Sequence, residues 1–244
     1  MPSSLTEQLD FAPYFRSRRV FLDTDRSLMD KIFELRFQVY CLECQFLPAS
    51  HYPDQREIDE YDAHAVHFAA FNLKGDIAGY VRLIRPEAHQ LFPFQIHCPN
   101  LMPGIILNTP ADSAEVSRLM VHPHYRRRRG DQLSGINTRL ETPAQRQELR
   151  NDSPQILLSL YREIYNFSRN HHINYWYAAM EQDLARVLNQ LNFQFEQIGL
   201  KANYFGPVAP YLADLQGTEA KVGKNNPALL NWMQEQEFAK DPLV

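Results

Sequence analysis

Hydrophobic residues recur at two different spacings along the chain, and the spacing predicts helices and strands. From Ser27 to Glu43, and again after Ser153, apolar residues return every three or four positions, which is typical of one buried face of a helix. Ser153 is followed by Pro154, and proline is favoured at the first position of a helix. A third helix is predicted from Gln182 to Leu191. The two longer faces consist of Leu28, Ile32, Leu35 and Val39, and of Ile156, Leu160, Ile164 and Phe167.

Shorter apolar runs predict strands between these helices. The predicted strands are Val66 to Leu73, Ile77 to Ile84, Glu115 to Val121, Ile173 to Met180 and Phe193 to Ile198. The first two flank Lys74-Gly75-Asp76, a signal for a hairpin turn. Alternation of helices and strands predicts an α/β (α+β) fold with a mixed central sheet and helices on both faces.

Polar and proline-containing segments separate the predicted elements. Loops are expected at residues 49–62, 86–110 and 125–152. After Pro207 the pattern is weak and polar. We therefore expect a single domain over residues 1–212 and a C-terminal tail over residues 213–244.

Composition excludes several classes of protein. The chain has 244 residues and a net charge of −4, so it has no general footprint for nucleic acid. We predict no membrane span and no signal peptide, because no apolar run is long enough and the N-terminus lacks the required pattern. Cys41 and Cys44 form a C-x-x-C pair that is typical of redox or half-zinc sites. No second pair accompanies it, so we expect reduced thiols, no metal and a cytoplasmic location.

Two charged segments carry the candidate chemistry. Glu57-Ile-Asp59-Glu60-Tyr61-Asp62 lies in a predicted loop, and Glu115-Val-Ser117-Arg118 lies in a strand that is otherwise apolar. Unpaired buried charge is costly, so charges within a buried strand indicate a site.

These segments and their order resemble the acyl-homoserine-lactone synthase branch of the Gcn5-related N-acyltransferase (GNAT) superfamily, closest to the acyltransferases associated with the PEP-CTERM/exosortase system. The motifs that carry the resemblance are Leu35-Arg36-Phe-Gln-Val-Tyr40-Cys-Leu-Glu43, Glu57-x-Asp59-x-Tyr61-Asp62, Val81-Arg82-Leu83-Ile84, Glu115-x-Ser117-Arg118 and Tyr204-Phe-Gly206-x-x-x-Pro210-Tyr211. The resemblance covers roughly residues 27–212. It implies a GNAT-like sheet whose two central parallel strands splay apart to receive an acyl thioester.

The resemblance also implies how the acyl donor binds. Backbone N–H groups near Met120 and Val121 would bind the thioester carbonyl, and the basic loop with Arg127, Arg128 and Gly130 would bind the donor's phosphate. This loop departs from the superfamily pattern R/Q-x-x-G-x-G/A, because its last small residue is missing. We therefore favour acyl-carrier protein over acyl-coenzyme A as co-substrate and expect no tightly bound cofactor. The arginines suit an acidic carrier surface, although a solvated loop is the alternative.

Glu115 is the candidate general base, because an amine must lose a proton before it attacks a thioester. The alternative is a structural ion pair with Arg82 or Arg118. Residues 115 and 118 differ by three on a strand, so their side chains should face opposite sides and a direct Glu115–Arg118 pair is disfavoured. Ser117 and Arg118 complete the predicted catalytic set. Serine nucleophilic chemistry is disfavoured because no histidine is placed to activate it.

Asp59 and Asp62 are predicted to hold a cationic amino group of the acceptor, with loop capping as the alternative. Arg36 and Arg82 either bind a carboxylate of the acceptor or hold the two aspartates, and Tyr40 joins this substrate-binding set. The scattered histidines lack the spacing of a zinc site.

The sequence therefore predicts an N-acyltransferase that moves a fatty-acyl group from a carrier thioester to the amine of an amino-acid-like acceptor. Three alternatives remain open. They are a coenzyme A-dependent acetyltransferase, a non-catalytic acyl-binding regulatory protein on a degenerate GNAT fold, and a protein-modifying acyltransferase that works with surface-protein sorting.

Overall fold

The computed structural model describes residues 10–87, 89–126, 152–204 and 206–235. The strands are β1 (Phe15–Val20), β2 (Ala65–Asn72), β3 (Ile77–Ile84), β4 (Ser113–Val121), β5 (Tyr175–Met180), β6 (Glu196–Gln197), β7 (Ala202–Asn203) and β8 (Pro207–Asp214). The helices are α1 (Arg26–Arg36), α2 (Pro93–His97), α3 (Ser153–Asn170), α4 (Gln182–Gln190), α5 (Leu215–Asn225) and α6 (Pro227–Gln234), and a π-helix follows α1 at Phe37–Glu43.

The strands form one mixed sheet in the order β1-β2-β3-β4-β5-β8-β6, with β7 paired to β8. The β4–β5 pair is parallel, and the other described pairs are antiparallel. The predicted mixed sheet is confirmed.

The two faces of the sheet are covered by different helices. On one face α3 packs its fully buried Ile156, Leu160 and Ile164 into the main core, as the helical spacing predicted. On the other face α1 packs Met29 and Ile32 against β2 to β4. The predicted placement of helices on both faces is therefore confirmed.

The residues after β8 form two helices that pack on the α3 face. Leu215, Val222, Leu229 and Trp232 all belong to the main core, and the Trp232 ring lies 5.7 Å from that of Phe11. This region adds apolar burial to the same core as the sheet.

Several boundaries match the sequence analysis and others do not. Strand β3 and the start of α3 lie at the predicted residues. The predicted helix Ser27 to Glu43 is α-helical to Arg36 and then continues as a π-helix. The predicted strand Phe193 to Ile198 pairs only over two residues. Strands β1, β7 and β8 were missed.

The two longer missed strands, β1 and β8, lack the sequence pattern that is typical of a strand. In β1 the arginines of a charged sheet edge interrupt the apolar alternation. In β8 two prolines suggested a loop, but Pro210 uses its carbonyl oxygen to accept from Ile198 N–H and lies opposite Ala179 of β5. Among the described residues, no helix is both long and apolar enough to cross a bilayer.

Candidate functional site

A bulge in β4 decides which side chains share the site. Tyr80 of β3 lies opposite Met120 and Arg82 lies opposite Ser117, so the register slips between these pairs. Arg118 sits in the slip with a φ of 54°, a left-handed conformation that is unusual for a non-glycine residue. The alternation of faces is broken there, and Ser117 and Arg118 both reach the α1 side of the sheet, where each contacts the same group of charged residues.

The prediction that Glu115 and Arg118 face opposite sides is therefore wrong, because it assumed an unbroken strand. The printed sequence carries no bulge signal at Arg118. Arg118 nevertheless forms ion pairs with Glu57 and Asp59, at 3.0 Å each.

Six charged side chains form what we call the ionic cluster: Arg36, Glu57, Asp59, Asp62, Arg82 and Arg118. Arg36 of α1 contacts Glu57 at 2.5 Å and Asp62 at 2.6 Å. Arg82 of β3 contacts Asp59 at 2.6 Å and Asp62 at 2.5 Å. Three arginines face three carboxylates, so the formal charge of the cluster is zero.

Burial and mutual pairing set the charge state of the ionic cluster. The side chains of Arg36 and Glu57 have no exposed surface, whereas that of Asp59 is 13% exposed. Burial alone would raise the pKa of Asp59, but hydrogen bonds and charges from Arg82 and Arg118 hold that pKa well below its usual range. Asp59 is therefore the most accessible carboxylate of the cluster and stays ionised.

A buried histidine and a buried tyrosine form hydrogen bonds that hold the backbone of the ionic cluster in place. His67 Nε2 donates to the backbone carbonyl of Asp62 at 2.9 Å, and the Tyr80 hydroxyl lies 2.7 Å from His67 Nδ1. Since a carbonyl can only accept, Nε2 carries the hydrogen and Nδ1 accepts from Tyr80. Burial lowers the pKa of His67, so the ring is neutral. This pair fixes the backbone that presents Asp62.

Glu115 lies outside the ionic cluster, in an apolar setting. One of its carboxylate oxygens accepts from the Phe94 N–H at 2.9 Å. Phe94 in turn stacks on Tyr177 of β5, with ring centroids 4.8 Å apart. Burial raises the pKa of Glu115 to about 8. A carboxyl group with such a pKa exchanges protons near neutrality, unlike an ordinary glutamate.

The strands separate immediately after Glu115. Parallel pairing of β4 with β5 covers only Ser113, Ala114 and Glu115 opposite Tyr175, Trp176 and Tyr177. Beyond this point β4 continues to Val121 and β5 to Met180, and within these described strands no further pairing joins them. The predicted splay is therefore present, with Glu115 at its apex.

The remaining predicted residues lie around this cleft. The Tyr40 hydroxyl donates to the Leu119 carbonyl at 3.2 Å, and Ser117 Oγ lies 3.5 Å from Arg82 Nη2. Met120 and Val121 are buried at the end of β4. The predicted donor-binding residues Arg127, Arg128 and Gly130 lie outside the described residues.

Two features of the site were missed by the sequence analysis. Glu57 was noted in its motif but given no role, although two arginines bind it. Tyr204 stacks on His97 with ring centroids 3.9 Å apart and planes 7° apart. Burial raises the pKa of Tyr204, and its hydroxyl also interacts with Arg118. Both residues stood in motifs of the sequence analysis, but the stacking of Tyr204 on a distant segment leaves no signal in the sequence.

No group of described residues has the arrangement of a metal site. Cys41 and Cys98 are buried and Cys44 is partly buried, all as free thiols.

Comparison with solved structures identifies the architecture. The acyl-homoserine-lactone synthase LasI superposes with a TM-score of 0.57 at 17% identity, over 82% of this chain and 89% of LasI. The fold is GNAT-like. The sequence model of the acetyltransferase (GNAT) domain matches residues 35–134, which is less than half of the chain. No protein of curated function matches the sequence significantly.

Two further GNAT-like structures show the range of proteins with this fold. BjaI, described as a coenzyme A-dependent acyl-homoserine-lactone synthase with SAM and isopentyl-CoA, has a TM-score of 0.55 at 18% identity over 86% of this chain and 88% of its own. FeeM, described as an N-acyl amino acid synthase from uncultured soil microbes, has a TM-score of 0.50 at 15% identity over 88% of this chain and 99% of its own. At these identities the likeness is one of fold.

Proposed function

We propose that this protein is an N-acyltransferase that moves a fatty-acyl group from a thioester to the amine of an amino-acid-like acceptor. One observation carries the proposal: a buried carboxyl group of raised pKa, Glu115, lies where β4 and β5 separate, beside a pre-formed ionic cluster. The fold shared with LasI and with the N-acyl amino acid synthase FeeM supports this choice.

The donor thioester is proposed to lie between β4 and β5. In the antiparallel ladder His122 N–H donates to Ala78 of β3 at 2.8 Å, so alternation directs the N–H of Val121 away from β3 and toward the cleft. This argument favours Val121 over Met120 as the donor to the thioester carbonyl. Arg127, Arg128 and Gly130 remain in the proposal as contacts of a carrier's phosphopantetheine, from their sequence alone.

The acceptor is proposed to bind beside the ionic cluster. Asp59 is its most exposed carboxylate and is the best placed to attract an ammonium group. Asp62 is nearly fully buried between Arg36 and Arg82, so its role is to orient these arginines, with Arg118, Ser117 and Tyr40 completing the wall. A relationship to the exosortase-associated acyltransferases is proposed from the sequence motifs alone.

The reaction requires a proton to leave the amine before attack. An α-ammonium group titrates at about 7.7–8.0, close to the raised pKa of Glu115 of about 8, so transfer of the proton to Glu115 costs little. The amine then forms the C–N bond, the oxyanion is stabilised by the Val121 N–H, and the C–S bond breaks. After attack the nitrogen loses a second proton, which the departing thiolate takes up, and Glu115 releases the first proton to solvent before the next cycle.

Turnover with defined donors tests the proposal. Purified protein is incubated with one acyl chain on either carrier protein or coenzyme A and with a panel of amino acids, and products are identified by mass spectrometry. Glu115→Gln should keep the fold and lower transfer by roughly 10²–10³-fold. The wild-type rate should rise with pH through about 8, since Glu115 must be ionised to accept a proton. Glu196→Gln, at an exposed position, is the matched control.

Different results separate the alternatives. Full transfer by Glu115→Gln across this pH range would remove Glu115 as the base. Faster turnover of the coenzyme A thioester than of the carrier thioester would favour the coenzyme A-dependent alternative. A co-purifying acyl ligand without any turnover would support the acyl-binding alternative.

A further inference from the structure

The π-helix at Phe37–Glu43 holds Tyr40 in a fixed position. Its wider turn is seen in the bond from Cys44 N–H to the Val39 carbonyl at 2.9 Å, five residues back. The carbonyl of Tyr40 itself accepts from the N–H groups of Phe46 at 2.8 Å and Leu47 at 3.3 Å. The backbone of Tyr40 is therefore bonded to the loop that follows the helix, which leaves it little freedom.

The side chain of Tyr40 reaches the β4 bulge. Its hydroxyl donates to the Leu119 carbonyl at 3.2 Å, and the Arg118 guanidinium carbon lies 5.5 Å from the centre of its ring. Burial raises the pKa of Tyr40 to about 12, so the hydroxyl keeps its hydrogen and remains a donor. One tyrosine thus contacts both bulge residues.

The bulge needs this donor because its carbonyl lies outside the ladder. Within the described strands, Arg118 and Leu119 stand opposite no residue of β3, and pairing resumes at Met120. A carbonyl without a ladder partner is free to turn, and the peptide plane turns with it. A turn of the Leu119 peptide would displace Met120 from its position opposite Tyr80 and would shift the next peptide, which carries the Val121 N–H.

We propose that the Tyr40 hydroxyl is a positioning group that locks the Leu119 carbonyl and thereby holds the next peptide, so that the Val121 N–H stays directed at the thioester carbonyl. This inference rests on the proposed function. It assigns Tyr40 to the donor half of the reaction rather than to the acceptor, where the sequence analysis placed it.

The variant Tyr40→Phe removes the hydroxyl and keeps the ring against Arg118. We expect kcat to fall about tenfold, the usual effect of one lost hydrogen bond, with the KM values of donor and acceptor unchanged. Hydrolysis of the acyl thioester without acceptor uses the same Val121 N–H and should fall by the same factor. Tyr52→Phe is the matched control, because the Tyr52 ring packs on Phe37 of the same π-helix and loss of its hydroxyl leaves the bond from Tyr40 to the Leu119 carbonyl in place.

A spectroscopic measurement tests the contact without turnover. The triple-resonance NMR cross-peak that links the Leu119 carbonyl to the Met120 N–H should move in Tyr40→Phe and stay in place in Tyr52→Phe. An unmoved peak would overturn the contact. A moved peak with unchanged kcat would overturn the positioning role, as would a raised acceptor KM with unchanged hydrolysis. A moved peak in a protein that transfers and hydrolyses no thioester would instead refute the proposed function, and this inference with it.

Discussion

The two faces of β2 to β4 are built from alternating residues of the same strands but differ in what stabilises them. The face under α3 is apolar core, whereas the face under α1, here called the polar face, adds the ionic cluster to an apolar cluster. Val81 faces the apolar core under α3, while its neighbour Arg82 enters the ionic cluster on the α1 side. In the same manner Val116 is apolar core and Glu115 belongs to the site. Apolar packing is non-directional and tolerates small shifts. Each group of the ionic cluster instead depends on particular partners, so the loss of one leaves others buried and unpaired.

Removal of Arg36 should break the polar face most severely. Arg36→Met keeps the volume but leaves Glu57 and Asp62 without one partner, which should destabilise the protein by about 3–5 kcal/mol near neutral pH. Leu160→Ala, on the apolar face, should cost about 2–5 kcal/mol through a cavity. Urea unfolding measures both.

The dependence on pH distinguishes the two losses. Protonation removes the cost of a buried carboxylate that lacks its arginine. The loss of unfolding free energy in Arg36→Met should therefore shrink as the pH falls toward about 4. The deficit of Leu160→Ala should stay constant over that range. In the wild type, the depressed pKa of Asp59 contributes stability that is present above the unfolded pKa and is lost as the pH falls further. Equal pH dependence of the two variants would contradict the comparison.

The apolar face is the part of the molecule that sequence analysis predicted best. The spacing of Ile156, Leu160 and Ile164 determined both the helix and its buried side, because burial of an apolar stripe needs no information about distant residues. The hairpin around Gly75 was equally local, since its φ of 86° is a glycine conformation.

The polar face was predicted only as a set of residue types. Its geometry depends on segments that lie far apart in sequence, with Arg36, Glu57 and Arg118 meeting across α1, a loop and β4. The β4 bulge that brings Arg118 to this face contains no glycine, so the sequence does not indicate it. The resemblance named the charged residues, but the pairing between them required the structure.

Overpacking should damage the apolar face less than the loss of Arg36 damages the polar one. A Cβ at Gly79 would lie 2.6 Å from Ile156 Cγ2 and 3.0 Å from the Met120 carbonyl oxygen. Gly79→Ala should therefore cost about 1–3 kcal/mol, because α3 must shift from β3. The double variant Gly79→Ala/Ile156→Leu, which lacks the Cγ2 methyl, should recover part of the loss in thermal denaturation relative to Ile156→Leu alone. No recovery would show that the carbonyl contact, rather than the methyl contact, sets the cost.

The smallest expected effect concerns the neutral histidine beneath the ionic cluster. The folded pKa of His67 lies below its unfolded value of about 6.5, so the unfolded chain binds a proton first and stability falls as the pH drops below about 6.5. Tyr80→Phe removes the donor to Nδ1, which frees that nitrogen to take up a proton. We expect a loss of about 1 kcal/mol at neutral pH and a higher pKa for His67.

Histidine NMR titration and melting temperatures measured against pH test both effects. In Tyr80→Phe the acid loss of stability should shrink, because the folded ring now accepts a proton nearer its unfolded pKa. His67→Gln should abolish that loss, since the side chain no longer titrates. The charges around His67 limit how far its pKa can rise in Tyr80→Phe. Arg36 and Arg82 disfavour a protonated ring, while Asp62 favours it. An unchanged His67 pKa in Tyr80→Phe would mean that these arginines, and not the tyrosine hydroxyl, keep the ring neutral.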